Sequence, residues 1–191
     1  MSAPTYTPMS VEEYLRTERD SPVKREYVGG FVYPLHGEVL AQAGTSHAHM
    51  QISLNIALRL RPMTDQQGCR LSMLGMKLLV DCLPSFYYPD VMVVCGEQTD
   101  DYYEKNPCLL VEVLSKRTAH NDRHAKLQAY QTIPTLQTYL IVSQSEHSVI
   151  AYQRTPQGWQ MTQYEGVGQI PLSCPPLNLT LNDIYAGLNL S

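Results

Sequence analysis

The chain has 191 residues, of which 43% are hydrophobic and 17% are charged, and its formal net charge at pH 7 is −4. A chain of this length can bury one good core, so we predict a single domain over residues 1–191. The acidic balance counts against a protein that coats nucleic acid through a global basic field, although it leaves room for an enzyme with a local phosphate site.

Neither a membrane span nor a signal peptide is indicated. The longest uninterrupted apolar stretches are too short to cross a bilayer as a helix. The N-terminus, MSAPTYTPMSVEEYL, has neither the basic nor the apolar region of a secretory signal. We therefore expect a soluble, cytoplasmic protein with no membrane partner.

The first elements along the chain are a helix and a hairpin. Residues 10–18, SVEEYLRTE, place a serine N-cap three residues before Glu13, which is the spacing of a capping box. The segment KREYVGGFVYPL then predicts two short strands, because Gly29-Gly30 is a hairpin signal between apolar runs.

The longest helical pattern follows. It begins at Thr45 or Ser46 and runs to Arg61, because apolar residues recur on one side at helical spacing. Pro62 is predicted to end this helix, since proline removes a backbone donor and clashes with the preceding turn.

Three strands are predicted in the middle of the chain. The segments RLSMLGMKLLVD, YYPDVMVVC and CLLVEVLS are apolar and bounded by turn residues, and the polar loop GEQTDDYYEKNP joins the last two. Each segment is expected to form one strand.

The remaining elements complete a mixed α/β pattern. The segment NDRHAKLQAYQTI predicts a helix capped by Asn121 or Asp122 and stopped by Pro134. The strands TYLIVS, SVIAYQR and GWQMTQY follow, and the proline-rich link CPPLN leads to a short helix near LNDIYAG. This order predicts an α/β fold with a mixed sheet.

Five cysteines occur, and the first four are spaced thirteen residues apart. They are Cys69, Cys82, Cys95, Cys108 and Cys174. The segments between them share no pattern, and the chain has no Cys-x-x-Cys pair or Cys/His cluster, which disfavours a zinc finger. We therefore predict scattered, reduced thiols that pack as small apolar residues.

Two carboxylates stand out because their surroundings are apolar. Glu112 is the only polar residue of CLLVEVL, and Asp90 follows Pro89 at the start of a strand-like run. A buried carboxylate is costly unless a cation, a proton or hydrogen bonds compensate it. If the two strands pair in register, alternation places Asp90 beside Glu112 and puts Cys108 on the same face as Glu112. Two oxygen donors at that separation suit Mg²⁺.

A lysine on the following helix completes a catalytic set. Lys126 lies three residues after Arg123 and four before Tyr130, so the three side chains share one helix face. Near a bound metal, a lysine can hold the attacking water or neutralise charge on a phosphate. A lysine, a metal ion and two carboxylates are sufficient for phosphodiester hydrolysis.

The ordered set SVEEYL, KREYVGG, GTSHAHMQI, YYPDVMVV, NPCLLVEVLS and DRHAKLQAYQTIPTLQTYLIV resembles a large family of bacterial endonucleases. This family belongs to the restriction-endonuclease-like PD-(D/E)XK superfamily and was long catalogued as a domain of unknown function. The matching motifs span most of residues 9–143. The resemblance implies a restriction-endonuclease-like mixed β-sheet flanked by helices, and hydrolysis of DNA with Mg²⁺ or Mn²⁺. Similar nucleases often form homodimers.

The resemblance also implies roles for individual residues. Asp90 and Glu112 are the two acidic positions of the motif, and the backbone carbonyl of Val113 is a further metal ligand. Many superfamily members have a lysine two residues after the second acid, where this chain has Leu114. In this family the lysine stands on the following helix, which is the position of Lys126.

Two further positions match the family. Glu26 corresponds to an acidic residue of the hairpin and is expected to support the metal or the water. His49 corresponds to a recurrent histidine at the start of the long helix, and it would contact substrate phosphate or cap that helix.

Other interpretations remain open at this point. Glu112 and Lys126 could form a buried ion pair, and Glu26 could be a solvent-facing residue paired with Lys24 or Arg25. The protein could be a catalytically degenerate nucleic-acid-binding or interaction module of the same fold, or it could hydrolyse another phosphate ester.

Overall fold

The computed structural model describes residues 8–34, 46–73, 75–114 and 123–190, with the backbone alone at 123 and 124. In these ranges the helices are α1 (Val11–Glu18), α2 (His47–Gln66), α3 (Arg123–Gln131) and α4 (Leu181–Ile184). Ser10 caps α1 and Ser46 caps α2, because each hydroxyl accepts a hydrogen bond from a first-turn N–H. None of these helices combines the length and apolarity needed to cross a membrane. The predicted cap of α3 at 121 or 122 lies outside the described residues.

The strands of the described ranges are β1 (Arg25–Val28), β2 (Phe31–Pro34), β3 (Arg70–Met73), β4 (Lys77–Val80), β5 (Ser85–Tyr87), β6 (Val91–Val94), β7 (Tyr103–Glu104), β8 (Pro107–Leu114), β9 (Thr138–Ser143), β10 (Ser148–Thr155), β11 (Gly158–Glu165), β12 (Gln169–Ser173) and β13 (Pro176–Thr180). They form a six-stranded sheet ordered β11-β10-β9-β8-β6-β3, a five-stranded sheet ordered β2-β1-β5-β4-β7, and the β12-β13 hairpin. Strand β8 runs parallel to β9 and antiparallel to β6, so the predicted mixed sheet flanked by helices is confirmed.

Strand β8 lies at the centre of the core, and all its residues except Leu114 are buried. Val111 packs in one apolar cluster with side chains of α2, whereas Leu110 packs in another with Tyr130 of α3. Successive side chains of a strand point to opposite faces. Glu112 therefore faces α3.

A bulge interrupts this alternation near the start of β8. The pairing register with β6 shifts between Val93 and Val94, and a bulge of this kind inserts an extra residue into one strand. Cys108 consequently packs in the cluster on the α2 side. The prediction that Cys108 shares a face with Glu112 is wrong for this reason.

Helix α2 does not end where its sequence indicates, because it continues to Gln66 with Pro62 inside it. Pro62 removes the N–H that would bond the carbonyl of Leu58. Pro62 is exposed and Leu58 is 63% exposed, so water can take the place of the missing donor. Thr64, beyond the proline, is fully buried, and its packing holds the last turn in place.

Two segments that were each expected to form one strand divide between the two larger sheets. RLSMLGMKLLVD supplies β3 and β4, and YYPDVMVVC lies across β5 and β6. Asp90 occupies the bend at which the chain crosses between the sheets. The apolar pattern continues through both crossings, so it could not reveal them. Strand β7, inside the predicted polar loop, was also missed, as were β12, which precedes the predicted proline-rich link, and β13, which begins within it.

Four cysteines converge at one end of the six-stranded sheet. Cys69 forms a disulfide with Cys95, and Cys108 forms a disulfide with Cys174, while Cys82 is free and exposed. The prediction of scattered, reduced thiols is therefore wrong for these four. Antiparallel strands return the chain to the same end of a sheet, so residues far apart in sequence meet there.

An ion pair joins the two larger sheets. Arg70 of β3 donates to both carboxylate oxygens of Glu104 of β7, from Nε at 2.7 Å and from Nη2 at 2.8 Å. The Glu104 side chain is 4% exposed and the Arg70 side chain 26% exposed. The paired geometry and the burial of Glu104 make this contact stronger than a surface ion pair.

We predict that Glu104→Ala lowers the free energy of unfolding by about 2–3 kcal/mol, because Arg70 loses its partner. Glu97→Ala is the matched control, since its side chain is exposed and Arg70 contacts only its backbone carbonyl. The control should stay within about 0.5 kcal/mol of wild type in urea denaturation. Equal losses in the two variants would contradict a specific role for this pair.

Candidate active site

The predicted site residues come from five separate elements. Asp90 lies in the bend before β6, Glu112 in β8, Glu26 in β1, Lys126 in α3 and His49 in the first turn of α2. The pairing of Val91 with Val111 places the Asp90 bend beside β8. The structure thus brings these five elements together near the C-terminal end of β8.

Asp90 is held by contacts on both carboxylate oxygens. Its Oδ1 lies 2.7 Å from Nε2 of His49, and its Oδ2 accepts a 2.7 Å hydrogen bond from the Val113 N–H. The Asp90 N–H donates to the Val111 carbonyl at 3.1 Å. The side chain is still 15% exposed, so a ligand can reach the carboxylate. The His49 side chain thus contacts Asp90, which neither of the two roles expected from the sequence included, and the helix is capped by Ser46.

The backbone of Val113 also belongs to this corner of the site. In an extended strand, the N–H and C=O of one residue point to the same side. Because the Val113 N–H points to Asp90, its carbonyl oxygen is directed toward the same side of β8. This orientation is the one that a metal-ligating carbonyl next to Asp90 requires.

Glu112 is almost completely buried, at 5% exposed. Its Oε1 accepts a 2.9 Å hydrogen bond from the Tyr130 hydroxyl and lies 3.4 Å from Nζ of Lys126. The pKa of Glu112 is raised to about 7, chiefly because burial disfavours the charged form. Lys126 opposes this shift, whereas the negative charges of Asp90 and Glu26 add to it. Negative charge thus accumulates in a poorly solvated place.

Lys126 is 6% exposed and lies between two carboxylates. Its Nζ is 2.8 Å from Oε1 of Glu26, in addition to the contact with Glu112. Glu26 itself is 7% exposed. The alternative of a solvent-facing Glu26 paired with Lys24 or Arg25 is therefore wrong in its exposure, and Arg25 pairs with Glu18 at 2.8 Å. The ion pair of Glu112 with Lys126, the other open alternative, is present.

Tyrosine rings enclose the buried part of the site. Tyr130 is fully buried, and its ring makes edge contacts with those of Tyr87 and Tyr139 at 5.4 and 5.1 Å between centroids. Nζ of Lys126 lies 5.8 Å from the centroid of the Tyr87 ring. The Tyr130 pKa is raised well above its usual value, mainly by burial, so its hydroxyl stays a donor to Glu112. Helical spacing predicted that Tyr130 lies beside Lys126. It could not predict the hydrogen bond with Glu112, because that contact depends on how α3 packs against β8.

The donor set fits a hard divalent cation. Within the described residues, one ammonium group contacts two carboxylates and one imidazole contacts a third. Burial raises the pKa of Glu112, and the negative charges of Asp90 and Glu26 raise it further, so a cation bound here would stabilise the ionised carboxylate. Carboxylate and carbonyl oxygens are the ligands that Mg²⁺ and Mn²⁺ prefer. The side chain of Arg123, predicted on the same helix face as Lys126, lies outside the described residues.

Comparison with known proteins agrees with this architecture. Residues 11–184 match the family Uma2, described as "Putative restriction endonuclease". The uncharacterized protein slr1290 of Synechocystis sp. is 30% identical over 190 residues, which cover 98% of this chain and 96% of the relative. The uncharacterized protein sll1609 of the same organism is 33% identical over 163 residues, covering 83% and 88%.

A solved structure shares the fold. The crystal structure of a protein from Anabaena variabilis, described as a putative nuclease belonging to DUF820, superposes with a TM-score of 0.72. The two chains are 15% identical, and the match covers 94% of this chain and 98% of the other. The match of the family over nearly the whole length, together with this shared fold, shows that the chain belongs to the Uma2 family of restriction-endonuclease-like proteins.

Proposed function

We propose that this protein is a divalent-metal-dependent endonuclease that hydrolyses phosphodiester bonds of DNA, as a single cytoplasmic domain. Asp90, Glu112 and the Val113 carbonyl would hold Mg²⁺ or Mn²⁺. The observation that carries the proposal is the approach of Lys126 to Glu112 from α3. From α3, Lys126 would supply the basic group that many superfamily members carry two residues after the second acid, where this chain has Leu114.

The bound cation would lower the pKa of water and offset negative charge in the transition state. Lys126 would donate a hydrogen bond to the attacking water or to a phosphate oxygen, because an ammonium group has donors only. Glu26 would hold Lys126 in place through their 2.8 Å contact. The proton released from the water would pass to solvent, so no covalent intermediate with the protein is needed.

The remaining contacts of the site act on the ligands. His49 and the Val113 N–H fix the two oxygens of Asp90, and the Tyr130 hydroxyl fixes Glu112. Partners of this kind orient metal ligands, and their loss typically lowers affinity or activity. They are positioning residues in the proposed reaction.

Two lysines lie close to the ring of Tyr88. Nζ of Lys24 and Nζ of Lys77 lie 5.7 and 5.9 Å from the centroid of the Tyr88 ring, two residues before Asp90. Burial lowers the pKa of Lys77. Such a local pair can attract phosphate although the chain as a whole is acidic.

A second function is favoured by one observation. Lys126 is nearly buried and contacts two carboxylates, as a purely structural ion pair would. In that case the protein would be a nucleic-acid-binding or interaction module that keeps the fold without cleaving its partner. Activity and metal binding distinguish the two functions.

We predict that purified protein cleaves plasmid, linear or single-stranded DNA when Mg²⁺ or Mn²⁺ is present. Asp90→Ala and Lys126→Ala should lower the rate by about 10²–10³-fold, the range seen when one transition-state contact is removed. Asp65→Ala is the control, because its side chain is exposed and pairs with Arg61 on the surface of α2. If wild type and both site variants cleave equally, the proposed site is not responsible for the activity.

Metal binding gives a prediction that does not depend on turnover. Mg²⁺ or Mn²⁺ at one hundred times its dissociation constant should stabilise the folded state by about 2.7 kcal/mol, measured as a rise in melting temperature. Glu112→Gln should remove most of this rise, because it deletes a charged ligand. Glu146→Gln, at an exposed position, should keep it. The absence of a shift in wild type at millimolar metal would favour the module that does not cleave.

A third prediction concerns the histidine beside Asp90. His49→Ala should lower metal affinity or cleavage rate by about 10–100-fold, because Asp90 loses the group that orients it. His47→Ala is a matched control on the same turn of α2, where the side chain is exposed. Equal activity of the two variants would show that the contact with His49 is not used.

A further inference from the structure

The proposed hydrolysis of phosphodiester bonds does not use the four clustered cysteines. Three of them belong to neighbouring strands of the six-stranded sheet: Cys69 precedes β3, Cys95 follows β6, and Cys108 lies in β8. Arg70 pairs with Val94 in the sheet, so Cys69 and Cys95 lie at the same strand ends. Cys174 reaches the cluster from the turn between β12 and β13.

The sulfur atoms of the two disulfides lie close to each other. The Sγ atom of Cys95 is 3.9 Å from that of Cys108 and 3.5 Å from that of Cys174. These three sulfurs lie within 4.8 Å of one another, and Cys69 is bonded to Cys95. Three sulfurs from three separate segments therefore lie around one point, and the fourth, from Cys69, is bonded to one of them.

This spacing matches a tetrahedral thiolate site. With zinc–sulfur bonds of about 2.3 Å, the sulfurs of such a site are about 3.8 Å apart. Between the disulfides, the distances from Cys95 already have this value. Within each disulfide, the sulfurs would have to separate from about 2 Å to about 3.8 Å. Cys95 and Cys174 can accommodate this movement, because Cys95 is exposed and Cys174 is only partly buried.

The chemistry of four thiolates selects among metals. Soft sulfur ligands in a tetrahedral arrangement suit zinc, whereas Mg²⁺ prefers oxygen. Arg70, next to Cys69, donates to the carbonyl of Gly96, next to Cys95. Its guanidinium group therefore lies near the cluster, where it also pairs with Glu104.

We propose that the reduced form of the cluster of Cys69, Cys95, Cys108 and Cys174 binds one zinc ion, and that the two disulfides are its oxidised, metal-free form. A dithiol is the reductant. Each protein disulfide takes two electrons and two protons from one dithiol, which becomes a disulfide. Zinc then binds the four sulfurs as thiolates, and their protons pass to solvent.

The experiment uses the full chain, reduced with a phosphine and then freed of reductant without air. The number of reactive thiols per chain should rise from one, that of Cys82, to five. Titration with Co²⁺ should then give thiolate-to-cobalt charge-transfer absorption and the visible bands of a tetrahedral site. These should saturate at one ion per chain and disappear as zinc is added. Oxygen ligands give no such charge transfer, so binding at Asp90 and Glu112 does not interfere.

Variants separate the cluster from other thiols. Cys95→Ser and Cys174→Ser should lose the tetrathiolate spectrum and the tight zinc binding, whereas Cys82→Ser should keep both. Cys95→His restores a zinc ligand without a disulfide partner, so it should recover zinc binding. Circular dichroism of each reduced variant checks that it is folded.

Three outcomes would overturn the proposal. The disulfides could resist reduction in the folded chain, so that only Cys82 reacts, which would make them permanent structural bonds. The reduced wild type could bind no zinc. The Co²⁺ spectrum could also survive Cys174→Ser unchanged, which would place the metal elsewhere.

Discussion

The site depends on a carboxylate placed inside the central strand of the core. Glu112 takes a position in β8 at which its strand neighbours are apolar and buried. Ionised and alone there, it would destabilise the fold, because burial strongly disfavours the charged form. The Tyr130 hydroxyl and the Lys126 ammonium group, both from α3, meet this requirement in part. The position of α3 against the sheet is thereby coupled to the charge on Glu112.

The groups around Glu112 are in turn held by contacts with other elements. Lys126 contacts Glu26 of β1, which links the five-stranded sheet to the α3 face of the six-stranded sheet. Asp90, at the crossing between the sheets, is tied to β8 through Val113 and to α2 through His49. Each of these contacts joins elements that are distant in sequence. Contacts of this kind would hold the proposed metal ligands in fixed positions, which would favour binding of a cation.

The two proposed metal sites differ in chemistry and in position. Asp90, Glu112 and the backbone of Val113 lie near the C-terminal end of β8, between α2 and α3, and the sulfurs lie at the strand ends beside the β12-β13 hairpin. Hard oxygen donors and soft sulfur donors select different metals. The bulge at Cys108 contributes to this separation, because it turns a residue of β8 away from the face of Glu112.

The sequence by itself determined the helices, most strands, the family and the two acidic residues, because local periodicity and ordered motifs record these features. It placed Lys126 and Tyr130 on one helix face, but their contacts with Glu112 depend on how α3 packs. Only the tertiary structure decided the division of apolar runs between two sheets, the pairing of His49 with Asp90, and the convergence of four cysteines. These features arise from contacts between residues far apart in the chain, which no local pattern encodes.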